Sequence, residues 1–290
     1  MFDIVKTKGN TSYYSAFSNV GVYRQGDSVV LIDSCDHRRM VRGLDALLEE
    51  DGLSVNTIIN THCHVDHITG NKFFSDKYGC KILAAKKECS FIEYPDREPQ
   101  FYYIGIDTDK KRNQFFITEP SVAEVITPEN TPEGFEIIPL PGHSFEMIGV
   151  RTPDNVVFLA DAILSKKTWD EYKFPFFYCV NDSLETFEKV KSIKADLFVP
   201  SHDMPLGDIC ELADYNKKSL QHKKDMVYEL CKGRGFDALV AAVLEKSGLN
   251  LHVSRYPMYI IMIRNLLQSL VEDDAICAVP EKMILTYRWK

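Results

Sequence analysis

The sequence lacks the features that mark secreted, membrane-spanning and disulfide-stabilised proteins. Its 290 residues contain no apolar run near the length of about 18 residues that a transmembrane helix needs, and the N-terminus has no basic-then-apolar signal pattern. The eight cysteines form no Cys-x-x-Cys pair, so we expect reduced, mostly buried thiols. We therefore expect a cytoplasmic protein that has no membrane partner.

The sequence is also poor in basic charge and in serine-hydrolase signals. The net charge of −8 disfavours nonspecific binding to a polyanion. No Gly-x-Ser-x-Gly segment is present, so an activated serine nucleophile is not indicated. With 45% hydrophobic and 26% charged residues, the composition is that of a globular protein, and the length allows one large domain or two smaller ones.

What the sequence does contain is a cluster of histidines. Residues 61–67 read Thr-His-Cys-His-Val-Asp-His. In an extended segment His62 and His64 point to one side, and Asp66 and His67 follow at once. The same alternation turns Cys63 to the opposite side, so we expect a buried thiol there rather than a ligand. Four metal-competent side chains this close together predict a metal site.

The remaining candidate ligands follow predicted strands. In the same way, the heptad of residues 61–67 follows the predicted strand Val55–Ile59. His143 comes after Ile-Ile-Pro-Leu-Pro-Gly, Asp161 ends Val-Val-Phe-Leu-Ala-Asp, and His202 ends Leu-Phe-Val-Pro-Ser-His. Strand ends can meet along one sheet edge, where α/β folds build their sites. We interpret the other histidines as ordinary surface or core residues because no partner accompanies them: His37, His222 and His252.

Other local signals place a few more elements. A Gly26-Asp27 turn between two β runs predicts a hairpin, and Asp36 is a candidate cap for a helix that reaches Glu50. Residues 122–126 read as a further strand.

The pattern resembles the metallo-β-lactamase-fold hydrolases. The residues that carry the resemblance are, in chain order, Asp33 after a strand, the His-x-His-x-Asp-His run of residues 62–67, His143 in Pro-Gly-His-Ser, Asp161 at a strand end, and His202 in Ser-His-Asp. The resemblance covers residues 1–207. It implies an αββα sandwich of the α/β (α+β) class, with two mixed sheets inside, helices outside and metals at one edge.

The same resemblance implies a division of the ligands between two metal ions. His62, His64 and His143 would bind one ion, and Asp66, His67 and His202 the other. Asp161 would bridge them, although its Leu-Ala-Asp-Ala context departs from the Gly-Asp-Thr often seen in the family. Asp33 would orient a ligand rather than bind metal. Asp203 is expected to support a ligand or to face solvent.

This ligand set favours two zinc ions, with iron and manganese also compatible. Such a centre predicts hydrolysis, with Asp66 as a candidate proton acceptor. The first interpretation is a small-molecule ester, thioester or lactone hydrolase similar to the glyoxalase II and general hydrolase branches. The alternatives are a phosphodiesterase or ribonuclease, a mononuclear-iron sulfur dioxygenase, and a non-enzymatic regulator.

Two aromatic segments are candidate walls of the active site, or else pack on the protein surface or in a dimer contact. The first, within residues 94–116, contains Tyr94, Phe101, Tyr102, Tyr103, Phe115 and Phe116. The second, within residues 169–178, contains Trp169, Tyr172, Phe174, Phe176, Phe177 and Tyr178. The charge run Lys110, Lys111 and Arg112 faces solvent or engages an anionic substrate.

Residues 208–290 read as a second, helical domain after a catalytic domain of residues 1–207. Three helical patterns and a hairpin signal follow one another, which is the order of a winged-helix unit. The segment contains 12 Lys and Arg against 11 Asp and Glu and has no basic stripe, so nucleic-acid binding is disfavoured although it stays open. A helix beside the active site, or a homodimer contact, is the preferred role.

Overall fold

The computed structural model describes residues 3–98, 118–249 and 255–290. Its largest sheet has seven strands in chain order, antiparallel from β1 to β4 and parallel from β4 to β7. These strands are β1 (Ile4–Lys8), β2 (Thr11–Tyr14), β3 (Val20–Gln25), β4 (Ser28–Ile32), β5 (Ser54–Ile59), β6 (Lys81–Ala84) and β7 (Glu124–Val125).

A second sheet has four strands in the order β11-β10-β9-β8. Its strands are β8 (Glu136–Pro139), β9 (Ile148–Arg151), β10 (Val156–Ala160) and β11 (Leu197–Pro200). β8, β9 and β10 are antiparallel, whereas β10 and β11 are parallel. Both sheets are therefore mixed, as expected.

Helices flank both sheets. They include α1 (Arg38–Glu50), α2 (Val65–Ile68), α3 (Asn71–Tyr78), α4 (Lys86–Glu93), α5 (Lys166–Tyr172), α6 (Val180–Ser192), α7 (Cys210–Cys231), α8 (Phe236–Lys246) and α9 (Tyr256–Glu272). None of the helices in the described part of the chain has both the length and the apolar character that crossing a membrane requires.

Alternation along the strands builds the layers. In β4, Val30 and Ile32 face the core between the two sheets, while Val29 and Leu31 face the core beneath α1. In β10, Val156 and Phe158 face the first of these cores, and Val157 faces the helices on the other side. Side chains of a strand point to alternate faces, so each buried strand serves two cores at once. The αββα architecture is confirmed.

The C-terminal segment follows the predicted order of three helices and a hairpin. The hairpin consists of β12 (Ile276–Glu281) and β13 (Ile284–Trp289), which pair antiparallel. Residues of α7, α8 and α9 share one hydrophobic cluster with β10 and α6. The C-terminal helices thus pack against α6 and extend the core that α6 forms on the outer side of the second sheet. The domain boundary at residues 207 and 208 stays a prediction.

One local prediction was wrong, and a second was correct only in part. The cap of α1 is His37, whose side chain accepts a hydrogen bond from the Arg39 N–H at 3.1 Å, rather than Asp36. The strand expected over residues 122–126 is limited to Glu124–Val125, which pair with β6 and form the edge of the sheet as far as the chain is described. Val122 is 78% exposed, so burial of its side chain does not favour a longer strand.

Candidate metal centre

All seven predicted ligands lie together. They follow the ends of strands β5, β10 and β11, or lie in the loop after β8. They form two groups that share one residue. The first contains His62, His64, His143 and Asp161, and the second contains Asp66, His67, Asp161 and His202. Within each group the candidate ligand atoms lie within 4.8 Å of one another.

The first group consists of imidazoles around one carboxylate oxygen. His143 Nε2 lies 3.0 Å from His64 Nδ1 and 3.4 Å from Asp161 Oδ2. Burial lowers the pKa of His62 well below its usual value, that of His64 to about 3, and that of His143 below its usual value. Neutral imidazoles carry the lone pair that a metal ligand needs.

The second group has more negative charge. Asp66 Oδ2 lies 3.4 Å from His67 Nε2 and 3.3 Å from His202 Nε2, and Asp161 Oδ2 lies 3.3 Å from His202 Nε2. Burial opposes ionisation of both aspartates, but the neighbouring imidazoles outweigh it and hold the pKa of each carboxyl well below its usual range. The same carboxylates raise the pKa of His67 and of His202 against the effect of burial. A divalent cation would neutralise these carboxylates in place of a proton.

Asp161 connects the two groups. Its Oδ2 faces His143 and His202, and its Oδ1 lies 3.6 Å from His67 Nε2. Among the described residues, Asp161 Oδ1, His62 Nε2 and His67 Nε2 are buried polar atoms without a hydrogen-bond partner. Buried polar atoms are rarely left unpaired unless an ion or water satisfies them. The residues present therefore fit divalent metal ions.

In three of the candidate ligand histidines, His62, His67 and His202, the nitrogen that points away from the centre is held by another group. His67 Nδ1 lies 2.7 Å from Asp33 Oδ2, and His202 Nδ1 lies 2.8 Å from the Phe17 carbonyl oxygen. His62 Nδ1 lies 3.0 Å from the Thr61 hydroxyl, which donates to Asp33. The Thr61 N–H also donates to Asp33 Oδ1 at 2.8 Å. These contacts suit the expected role of Asp33, since a partner on one ring nitrogen sets the tautomer and leaves the other free to bind metal.

Three residues that sequence reasoning missed also belong to the surroundings of the centre. Ser18 donates to Asp66 Oδ2 at 2.6 Å. Glu98 is buried 3.8 Å from His64 Nε2, and burial raises its pKa well above the usual value. Glu88 is fully buried among the loops that carry His64 and His143. The pattern of α4 offered one signal, because Glu88 and Ile92 lie on the same buried face.

Two neighbours of the ligands lie outside both groups. Cys63 is buried, and its Sγ lies 3.9 Å from the Ser144 hydroxyl rather than among the candidate ligand atoms. Asp203 accepts a hydrogen bond from the Met204 N–H. All eight cysteines are free thiols, as expected.

Aromatic side chains border the centre from two sides. The Phe176 ring lies 6.1 Å from that of His64 and 6.0 Å from that of His143. Phe17, which is 58% exposed, lies 4.8 Å from the His202 ring, where a groove of about 620 Å³ opens past Met204 and Lys166.

The two predicted aromatic segments differ in what they contribute. In the second, Trp169, Phe174 and Phe177 are buried in the core, and the Phe177 ring also lies 6.1 Å from that of His143, about as close as the Phe176 ring. In the first, Tyr94 is described and exposed. The other aromatic residues of the first segment lie outside the described residues, as does the charge run: Phe101, Tyr102, Tyr103, Lys110, Lys111, Arg112, Phe115 and Phe116.

Comparison with solved structures shows the same fold over almost the whole chain. A beta-lactamase domain protein from Burkholderia ambifaria superposes with a TM-score of 0.74 at 14% identity, covering 99% of this chain and 94% of that one. A metallo-beta-lactamase family protein from Thermus thermophilus gives a TM-score of 0.70 at 18% identity, covering 99% of this chain and 97% of that one.

Comparison of sequences points the same way. A Drosophila melanogaster beta-lactamase-like protein 2 homolog is 25% identical over 203 residues, which are 66% of this chain and 62% of that protein. A hydroxyacylglutathione hydrolase from Prochlorococcus marinus is 27% identical over half of each chain. The chain thus spans between half and two thirds of these relatives. The family model described as metallo-beta-lactamase superfamily matches residues 15–202. This chain belongs to the metallo-beta-lactamase superfamily.

Proposed function

We propose that the chain is a dinuclear metal-dependent hydrolase, with zinc as the favoured metal, that acts on a small ester, thioester or lactone. The observation that carries the proposal is the sharing of Asp161 between two groups of candidate ligands. His62, His64 and His143 would hold one ion, while Asp66, His67 and His202 would hold the other. Metal ions bound in this way lower the pKa of water and polarise a carbonyl oxygen.

Asp66 is the best-placed group to handle a proton. Its side chain is 27% exposed, whereas that of Asp161 is only 6% exposed. The Ser18 hydroxyl and the two neighbouring imidazoles orient its Oδ2. A partly accessible carboxylate next to the reacting atoms can take a proton from the attacking group and pass it to the leaving group.

The surroundings support a substrate that has an apolar part. Phe17 and Phe176 border the candidate ligands and would exclude water from one side of a bound molecule. The relatives named hydroxyacylglutathione hydrolase support a hydrolytic reaction. A cytoplasmic location belongs to the same proposal.

The C-terminal helices are proposed to support the active site rather than to bind nucleic acid. Ile261 and Met258 of α9 pack against Phe176, which in turn contacts the His64 and His143 rings. Asn265 of the same helix donates to the Phe177 carbonyl oxygen at 2.7 Å. These contacts support the proposal that the winged-helix-like unit has a role beside the centre. The same proposal leaves the outer surface of the unit available for a homodimer contact.

The test combines metal analysis with an activity panel. We expect about two zinc ions per chain in protein purified without added metal, and hydrolysis of at least one ester, thioester or lactone. His143→Ala and Asp66→Ala should abolish hydrolysis while circular dichroism stays unchanged, because each removes a group from the centre. His222→Ala, an exposed histidine on α7, is the matched control.

Other outcomes would redirect or refute the proposal. About one iron ion per chain with oxygen-dependent turnover would replace hydrolysis by sulfur dioxygenation. Activity confined to phosphodiesters or RNA would favour the nuclease alternative. Protein that binds no metal after reconstitution, or full activity in His143→Ala, would contradict the proposal.

A further inference from the structure

We infer that Glu88 is a positioning residue that holds the two loops of the first metal group at a fixed separation. The inference rests on the proposed function, since it concerns ligands of the proposed metal centre. Glu88 lies on α4 and is not a candidate ligand itself. Its effect on metal binding would pass through the backbone of the loops that it joins.

The Glu88 carboxylate bonds to both loops at once. Its Oε2 accepts from the Cys63 N–H at 3.0 Å, and Cys63 stands between His62 and His64. Its Oε1 accepts from the Glu146 N–H at 2.7 Å, and both oxygens lie 2.9 Å from the Ser144 hydroxyl. Ser144 directly follows His143. One side chain thus connects the loop of two candidate ligands to the loop of a third.

Only a carboxylate suits this position. The side chain is fully buried, and no basic side chain in the described part of the chain forms an ion pair with it. All of the contacts come from donors, two N–H groups and one hydroxyl, and they reach both carboxylate oxygens. A buried carboxylate is costly unless such hydrogen bonds satisfy it, so this arrangement makes the loop spacing stiff.

The second metal group has separate supports. Asp33 holds His67, Ser18 holds Asp66, and the Phe17 carbonyl oxygen holds His202. None of these contacts involves Glu88. Loss of the Glu88 contacts should therefore loosen the ion of the first group more than the ion of the second.

The test compares zinc release from Glu88→Gln and from wild-type full-length protein loaded with two equivalents of Zn²⁺. Glutamine keeps the size but offers one acceptor oxygen, and its NH₂ group would face a donor. Competition with a chromophoric chelator measures the affinity of each ion. We expect one ion to bind about 10- to 100-fold more weakly and the other to change by less than about threefold, the range seen when a supporting partner is lost.

Glu93→Gln is the matched control. It removes the same charge from the same helix, but Glu93 is exposed and, among the described contacts, joins neither loop. We expect wild-type release from this variant. If Glu88→Gln fails to fold, Ser144→Ala takes its place: it removes only the hydroxyl donor and should weaken the same ion by a smaller factor.

The outcomes separate the inference from the proposed function. Wild-type protein that holds no zinc would refute both. Wild-type protein that holds two ions, with Glu88→Gln releasing both as wild type does, would refute only the role of Glu88. If both ions bind more weakly by the same factor and the melting temperature falls, Glu88 has a merely structural role. That result would also overturn the inference.

Discussion

Replacing Asp33 by asparagine tests how the residues that hydrogen-bond to the candidate ligands affect metal binding. The substitution keeps the shape of the side chain, and Asn tolerates the positive φ of 64° at this position about as well as Asp does. The change is therefore confined to the charge of the carboxylate and its hydrogen bonds. The asparagine amide has one acceptor oxygen for three contacts, those of His67 Nδ1, the Thr61 N–H and the Thr61 hydroxyl.

The magnitude follows from those contacts. At least one hydrogen bond to a buried charge is lost, which is worth about 1.5–3 kcal/mol in the free energy of unfolding. If the amide NH₂ faces His67 Nδ1, that nitrogen must accept, and the proton moves to Nε2, where the metal needs a lone pair. We expect about 10- to 100-fold weaker binding of the second ion, or about 1.4–2.7 kcal/mol.

The assay pairs thermal unfolding with zinc competition on the full-length protein. Asp274→Asn is the matched control, because Asp274 also has a positive φ, 59°, but lies exposed in the turn before the C-terminal hairpin. Asp274→Asn should leave zinc binding unchanged. Wild-type zinc affinity in Asp33→Asn would refute the view that Asp33 sets the tautomer of His67.

Two further predictions concern other parts of the same architecture. Asp161→Asn should lower the occupancy of both ions, because the Asp161 oxygens face both groups, and metal analysis that still gives two ions per chain would argue against bridging. Asn216→Ala should lower the free energy of unfolding by about 3 kcal/mol, because the buried Asn216 amide bonds to Leu164, Trp169 and Leu212. Denaturant titration measures this change, and a loss below about 1 kcal/mol would contradict it.

The candidate ligands could be predicted because each stands next to a local signal. The heptad follows an apolar strand, and Asp161 and His202 close strands of the second sheet. Parallel strands bring such ends to one edge of a sheet. It can therefore be predicted that residues distant in sequence meet there, even when their contacts are not known. The order of the layers was predicted from the motif resemblance. The side chains of β4 and β10 alternate between a core on each face of their sheets, which agrees with that order.

The supporting residues could not be predicted in the same way. Glu88 meets Ser144 across 56 positions, and Ser18 meets Asp66 across 48. The spacing of Glu88 and Ile92 indicates at most that Glu88 lies on a buried face. Neither a Glu in a helix nor a Ser in a loop indicates which residue it will contact, because packing sets the partner. The prediction of the α1 cap failed for a related reason. Asp36 and His37 are adjacent polar residues that could each accept from the same N–H, and the path of the chain decides between them.

Backbone conformation links the two aspartates that matter most to the centre. Asp33 follows β4 with a φ of 64°, and Ala160 precedes Asp161 at the end of β10 with a φ of 51°. A left-handed conformation costs a residue with a Cβ about 1–2 kcal/mol, and glycine avoids that cost. This explains why the family often has Gly before the bridging aspartate, and it makes the alanine here a strained residue.

The strain persists because the surrounding contacts over-determine both turns. Asp33 is held by His67 and Thr61, and the Ala160 carbonyl oxygen accepts from the Ser201 N–H at 3.1 Å, beside a register shift between β10 and β11. Strained backbone of this kind is retained where it aims a functional side chain. The left-handed residues turn the chain out of each strand, so that one carboxylate reaches the back of His67 and the other reaches both metal groups.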